Sequence, residues 1–343
     1  MTSNSLPLAL TMGEPAGIGP DIILMAHAQL ANAAGEPGAA APMVVFGDEG
    51  VFESRAKALG FATRITPVTA PDQARSLQAD SLAVMPTPCS VPAETGVLNV
   101  GTGGATVQAI QSALEHVRDG TCCAVVTAPI HKANLYATGF AVPGHTEFLE
   151  AFAKDHWPDE DPLAVMMLAG PQLRTVPITV HIPLEEVASS LTGARLIAVA
   201  RRVARDLQTR FGIAKPRLAV AGLNPHAGES GALGRQDDAI IAPAIAELQT
   251  EGIDAIGPLP ADTMFHTEAR ATYDAALCMY HDQALIPAKT LDFHGTVNVT
   301  LGLPFVRTSP DHGTALDLAG TGKASPDSML AAIRLARQMV GTL

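Results

Sequence analysis

The feature that most constrains this chain is an alternation. Short apolar runs, "LALTM", "MVVFG", "CAVVTA", "PITVHI", "RLAVAG", "AALCMY" and "TVNVTLG", recur along its length, separated by longer amphipathic segments. That pattern predicts an α/β protein, with strands joined by crossover helices. In "GGATVQAIQSALEHVRDG", Val107, Ile110, Leu114 and Val117 share a helical face and Gly120 supplies a stop. "GARLIAVARRVARDLQTRFG" places Leu196, Val199, Val203 and Leu207 on one face, with basic residues opposite. "DDAIIAPAIAELQTEG" and "PDSMLAAIRLARQMVG" predict two more helices, and another is expected to begin near Pro20. "AAGEPGAAAP" reads as a flexible connection and "PTPCSVPAETG" as a proline-rich surface loop.

A chain of 343 residues, 47% hydrophobic and 16% charged, can bury a large core and make two domains or one large α/β unit. No sharp change of composition marks a boundary. Two interleaved lobes are therefore expected, residues 1–130 with 290–343 in one and 131–289 in the other. The net charge of −12, with no basic cluster, argues against nucleic acid and membrane as partners. "LPLALTM" is too short for a membrane span and lacks the basic start of a signal peptide, so a soluble cytoplasmic protein is expected. Cys89, Cys122, Cys123 and Cys278 have neither zinc nor redox spacing and read as reduced, mostly buried thiols.

The chemistry starts from the histidines. His27, His116, His156 and His266 sit in helical or polar contexts that call for no special role. His181, His226 and His281 share a position type, each at or just beyond the C-terminal end of a predicted strand. Those ends form the ligand crevice of α/β sheets, so the three can converge there. Three imidazoles suit a divalent metal with positions left open for substrate, although three separate polar loop caps account for the same pattern. In "VPGHTEF", His145 and Thr146 follow a proline-glycine turn at an expected helix start. That arrangement suits a phosphate or carboxylate, and equally an ordinary N-cap by Thr146. Lys289, Asn298 and Arg307 are spread along an expected loop and strand where charge is scarce. Cations in such places need an anionic partner, internal or ligand. "TMGEPAGIGPDI" has a strand, a glycine loop and a helix, but not G-x-G-x-x-G spacing, and is weak evidence for a dinucleotide site. "DHGTALDLAGTGKASP", residues 311–326, offers closely spaced backbone N–H groups and a lysine ahead of the last helix.

This last stretch resembles the loop that wraps the adenosine part of the nicotinamide cofactor in isopropylmalate and isocitrate dehydrogenases, with leucine for a proline and serine for an asparagine. "TMGEPAGIGPDI", "GHTEF", "GLNPHAGESG", "GPLPADTMF", "MYHDQALIPAK" and "VNVTLGLPFVRTSPDHGTALDLAG" resemble a sister family, the 4-hydroxythreonine-4-phosphate dehydrogenases of pyridoxal phosphate biosynthesis. The resemblance runs from residue 8 to residue 340. It implies an isopropylmalate dehydrogenase-like fold, two α/β domains with a cleft between them, and a homodimer with active sites at the interface. It implies one divalent metal per site on His181, His226 and His281, and substrate contacts at His145, Thr146, Lys289, Asn298 and Arg307. NAD or NADP is implied at His312, Gly313, Thr314, Gly320, Gly322 and Lys323.

The implied substrate is a small phosphorylated hydroxy amino acid, 4-phosphohydroxy-L-threonine. Its oxidation gives a β-keto acid that decarboxylates to 3-amino-2-oxopropyl phosphate. Imidazole ligands favour zinc, cobalt or nickel over magnesium in softness. Lys289 serves proton transfer if desolvation lowers its pKa; if it pairs with phosphate, Asp262 is the better base. A dehydrogenase of threonate or erythronate 4-phosphate, or of a ring dihydrodiol, would keep the same triad. A phosphate acyltransferase needs neither triad nor nicotinamide loop, and a zinc hydrolase would use the histidines with a water nucleophile.

Overall fold

The structure is a computed structural model that describes residues 6–33, 42–136 and 145–342. The expected connection "AAGEPGAAAP" and the Pro143–Gly144 turn therefore fall largely outside the described residues. The chain divides into two compact units, Met1–Pro162 with Leu303–Gly341, and Leu163–Gly302. Residues 131–162 thus belong with the first unit and 290–302 with the second.

The strands run β1 (Leu8–Thr11), β2 (Met43–Gly47), β3 (Arg64–Pro67), β4 (Ser81–Pro86) and β5 (Ala124–Thr127) in chain order. There follow β6 (Val165–Ala169), β7 (Arg174–Pro177), β8 (Arg217–Ala221), β9 (Asp254–Leu259), β10 (Ala275–Cys278) and β11 (Val297–Leu301). The chain returns to the first unit for β12 (Arg307–Pro310).

In the first unit the order is β3-β4-β2-β1-β5-β12, and all of its pairings are parallel. Every residue of β1, β5 and β12 is buried, as expected of parallel strands covered on both faces. In the second unit the order is β11-β6-β7-β10-β8-β9, with β6 antiparallel to both neighbours and the rest parallel. Its core gathers Leu168, Leu173, Tyr273, Met264 and Leu285. The α/β class is thus the observed one. No helix among the described residues is long and apolar enough to cross a membrane.

The helix Gly193–Thr209 buries Leu196, Val199, Val203 and Leu207, the face its spacing predicts. In the helix Gly103–Arg118, Ile110 and Leu114 of the predicted face are buried together with Ala105, Thr106, Ala109 and Ala113, whereas Val107 and Val117 are only half-buried. Small residues let that helix lie close to the sheet, which hydrophobicity alone does not signal. The single helix expected over "DDAIIAPAIAELQTEG" is divided into a π turn, Asp237–Ile241, and an α-helix, Ala242–Thr250. Pro243 has no N–H for the carbonyl four residues back, and the wider turn lets the Ala242 N–H donate to Asp237 instead.

The strand expected over "PITVHI" lies upstream, at Arg174–Pro177. Ile178 and Thr179 still donate backbone N–H groups to Cys278 and Met279, but the Thr179 hydroxyl also takes the Met279 carbonyl and the chain bends away.

Candidate active site

In the first unit the site grows from two neighbouring parallel strands. Arg307 of β12 stands opposite Val125 of β5, and only 3% of it is exposed. Its Nε and Nη2 donate to the Thr127 hydroxyl at 3.2 and 2.7 Å. Burial pushes the Arg307 pKa down to about 10, with the Asp311 charge opposing the shift, so the guanidinium stays charged at neutral pH. His145 begins the described part of the helix His145–His156. Burial first, then the charges of Arg307 and Lys132, hold its pKa well below the usual histidine value. The ring is therefore neutral, and its buried Nε2 has no hydrogen-bond partner among the described residues. Thr146 follows on the same helix, half-buried. Lys132, at the head of the short helix Lys132–Tyr136, is a cation that the sequence reading passed over. Its signal was present, a lysine just past a predicted strand in "TAPIHK".

The loop carrying the expected cofactor residues belongs to the same unit. His312 meets the Gly313 carbonyl through Nδ1 at 3.0 Å, Thr314 is buried, and Lys323 is exposed. The Thr314 carbonyl accepts the Ile18 N–H at 2.9 Å, and the Gly320 N–H donates to Asp21 at 3.1 Å. Asp21 is ion-paired to Arg55, and both side chains are buried. Arg55 also donates to the Gly17 and Pro15 carbonyls. The loop is thus stitched to the N-terminal glycine turn. Gly320 and Gly322 hold positive φ of 71° and 73°, a conformation that favours glycine. In the N-terminal turn a Cβ on Gly19 would meet the Met12 carbonyl at 2.4 Å, so that glycine serves helix–strand packing.

The second unit carries the histidines. His181 and His281 come together, ring centroids 5.6 Å apart. His281 opens the helix His281–Leu291, and its Nδ1 meets the Asp282 carboxylate at 2.7 Å. A carboxylate on one ring nitrogen fixes the tautomer and turns the other nitrogen toward a ligand, the usual support of a metal-binding imidazole. His226 is exposed in the turn Pro225–Gly228. Residues 226 to 231 all hold positive φ: His226 52°, Ala227 51°, Gly228 81°, Glu229 43°, Ser230 55° and Gly231 85°. Four of these are not glycine, and left-handed backbone costs each about 1–2 kcal/mol. The fully buried Asp237 offsets this at the root of the loop, accepting from Leu223 N, Asn224 N and Asn224 Nδ2.

Among the described residues of one chain, no three His, Cys, Asp or Glu side chains gather as a metal-holding set. His181 and His281 are a pair of neighbouring imidazoles, and His226 does not join them in a metal-holding set within the chain. Asp262 is exposed on the turn Ala261–Thr263, which packs against the turn bearing His226. Lys289 lies on a helix, not on the loop or strand expected for it, with Nζ 5.5 Å from the Phe293 ring centre. Asn298 is on β11 opposite Leu168. Among the supporting residues, Thr127 and Asp237 lie in no site motif, while Asp282 lies inside "MYHDQALIPAK". Only Asp282, next to His281, was within reach of sequence reasoning.

A match to the family described as pyridoxal phosphate biosynthetic protein PdxA spans residues 39–336. A curated 4-hydroxythreonine-4-phosphate dehydrogenase of Bradyrhizobium diazoefficiens is 50% identical, over 97% of this chain and 96% of its own. One of Methylorubrum populi is 51% identical, over 99% of this chain and 96% of its own. The crystal structure of a 4-hydroxythreonine-4-phosphate dehydrogenase from Klebsiella pneumoniae superposes with a TM-score of 0.85 at 38% identity, covering 98% of this chain and all of the other.

Proposed function

This chain belongs to the PdxA family of pyridoxal phosphate biosynthesis, the 4-hydroxythreonine-4-phosphate dehydrogenases, and is an oxidoreductase; we propose that its substrate is 4-phosphohydroxy-L-threonine. Oxidation of the secondary alcohol with NAD or NADP gives a β-keto acid, which loses carbon dioxide to leave 3-amino-2-oxopropyl phosphate. The observation that carries this reading is the buried Arg307 beside a neutral His145, in a chain of net charge −12. A phosphate dianion suits both. It accepts charge-assisted hydrogen bonds from the guanidinium and a neutral one from His145 Nε2, with Thr146 and Lys132 as further donors. Lys289 and Asn298 are assigned to the remaining polar groups of the substrate.

His181 and His281 would hold a divalent ion, with Asp282 fixing the orientation of His281, and that ion would supply Lewis-acid chemistry beside a nicotinamide as hydride acceptor. His226 completes the set from a second copy of the chain, which makes the working unit a homodimer with its sites at the interface. Asp262, on the turn packed against that of His226, takes the hydroxyl proton. Residues 312–323 receive the adenosine end of the cofactor through backbone N–H groups.

The test is turnover of 4-phosphohydroxythreonine with each nicotinamide cofactor, with and without chelator. Reduced nicotinamide and carbon dioxide appear in equal amounts, and chelator stops both. Faster turnover of threonate 4-phosphate moves the substrate within the family. Product release without nicotinamide reduction overturns the reading.

A further inference from the structure

Parallel pairing of β5 and β12 sets Arg307 opposite Val125 and Thr308 opposite Val126. Side chains two apart on a strand share a face, so Arg307, Val125 and Thr127 project to the same side of the sheet. Thr127 is the last residue of β5 and lies one side-chain step beyond Val125 toward the C-terminal edge. That step spans roughly 6.6 Å, a distance an extended arginine covers. The Arg307 side chain therefore runs along the sheet to the edge where α/β ligands bind, and there Thr127 Oγ1 receives Nε and Nη2 together.

We propose that Thr127 is a positioning residue for phosphate recognition: its buried hydroxyl grips one edge of the Arg307 guanidinium and sets the plane in which the arginine meets the phosphorylated substrate. The inference rests on Arg307 being the phosphate holder, as proposed above. A hydroxyl oxygen has two lone pairs, so one threonine can accept both N–H groups and still donate its own proton. No part of Thr127 is exposed, and Arg307 is nearly as dry. Water therefore does not take over the hydroxyl's part when it is removed. Two donors on one acceptor also fix rotation of the plane, which a single hydrogen bond leaves loose. This matters because recognition of phosphate by arginine depends on two parallel N–H groups meeting two oxygens. Serine keeps the oxygen; valine keeps the β-branched shape that suits a buried strand and removes the oxygen.

The experiment compares Thr127→Val, Thr127→Ser, Arg307→Ala and the double variant Thr127→Val/Arg307→Ala. It reads KM and kcat for 4-phosphohydroxythreonine, and competitive inhibition by inorganic phosphate. Thr127→Val is expected to raise KM, and to weaken inhibition by phosphate, by about tenfold, with kcat within about twofold, the signature of lost ground-state binding. Thr127→Ser restores both to within about twofold of wild type, and Thr127→Val adds nothing when Arg307 is already alanine. Thr127→Ala replaces the valine variant if that one does not fold.

An unchanged KM in Thr127→Val or Thr127→Ala, with KM strongly raised in Arg307→Ala, overturns the role of Thr127 alone. An unchanged KM in Arg307→Ala overturns the reading of Arg307 and this inference with it. Equal loss in the serine and valine variants also overturns it, because packing and not the oxygen would then be at work.

Discussion

The two units hold their functional groups in opposite ways. In the first, Arg307 and Thr127 are buried, the ring of His145 is kept neutral, and the hydrogen bonds that orient the guanidinium come from the same chain. In the second, His181, His226 and Asp262 are exposed, and His226 does not join the His181–His281 pair within the chain. Burial explains the first arrangement, since a charged anion is recognised best where water does not compete. Under the proposed function, the exposed His226 would meet the His181–His281 pair only in the presence of a second copy of the chain, so that the first arrangement is made by folding and the second would be made by assembly.

The largest effect expected is on metal retention. His281→Ala and His226→Ala should each lower metal content on elemental analysis and reduce turnover by more than about 100-fold, leaving inhibition by inorganic phosphate untouched. Co-expression of the two variants then breaks or confirms the assembly argument. If the histidines come from different copies, random dimers regain about a quarter of wild-type activity, because mixed dimers have one intact site. If both come from one chain, no activity returns.

Arg307→Ala is the counterpart in the first unit. Loss of charge-assisted hydrogen bonds worth about 1.5–3 kcal/mol should raise KM by roughly 10- to 150-fold, with metal content unchanged. Metal loss in this variant would mean that the two sites are not independent.

Asp237 sharpens the contrast within the second unit, since the exposed loop of His226 has a buried root. Asp237→Ala removes the acceptor of three donors, and a destabilisation of about 3 kcal/mol or more is expected. Urea denaturation reads it as a lower midpoint at constant slope. Metal retention should fall with it, because His226 then loses the anchor of its left-handed turn. A stable variant with full metal would show that the loop holds itself.

The same contrast governs what can be read from sequence. β1, β2, β5, β8, β10 and β11 stand close to where apolar runs predict them, because inner strands of covered sheets are nearly continuous in hydrophobic residues. β12 escapes that reading. Its sequence, "RTSP", is polar, yet all four residues are buried. Thr308 donates to the Ala332 carbonyl and Arg307 to Thr127, so the polarity is satisfied by partners far away in sequence. A buried polar strand is where the chemistry of particular partners overrides patterning. The displaced β7 and the π turn at Asp237 escape for a related reason: each is decided by one side-chain or proline effect that periodicity does not record. His181, His226 and His281 were legible as candidates, whereas whether they meet depends on tertiary and subunit geometry.

The smallest effect expected is on acid stability, and it belongs to the first unit. His145 and His27 are both held below the usual histidine pKa, with burial the leading cause in each. The folded protein therefore takes up these protons later than the unfolded chain, whose histidines titrate near ~6.5. The sign follows. Stability is fully present above ~6.5 and declines as pH falls below it, at up to about 1.4 kcal/mol per pH unit for each such histidine. His145→Gln, neutral at every pH, should remove one share of that slope between pH 6.5 and 5 in urea titrations. An unchanged slope in His145→Gln would remove the buried imidazole as a source of the acid sensitivity.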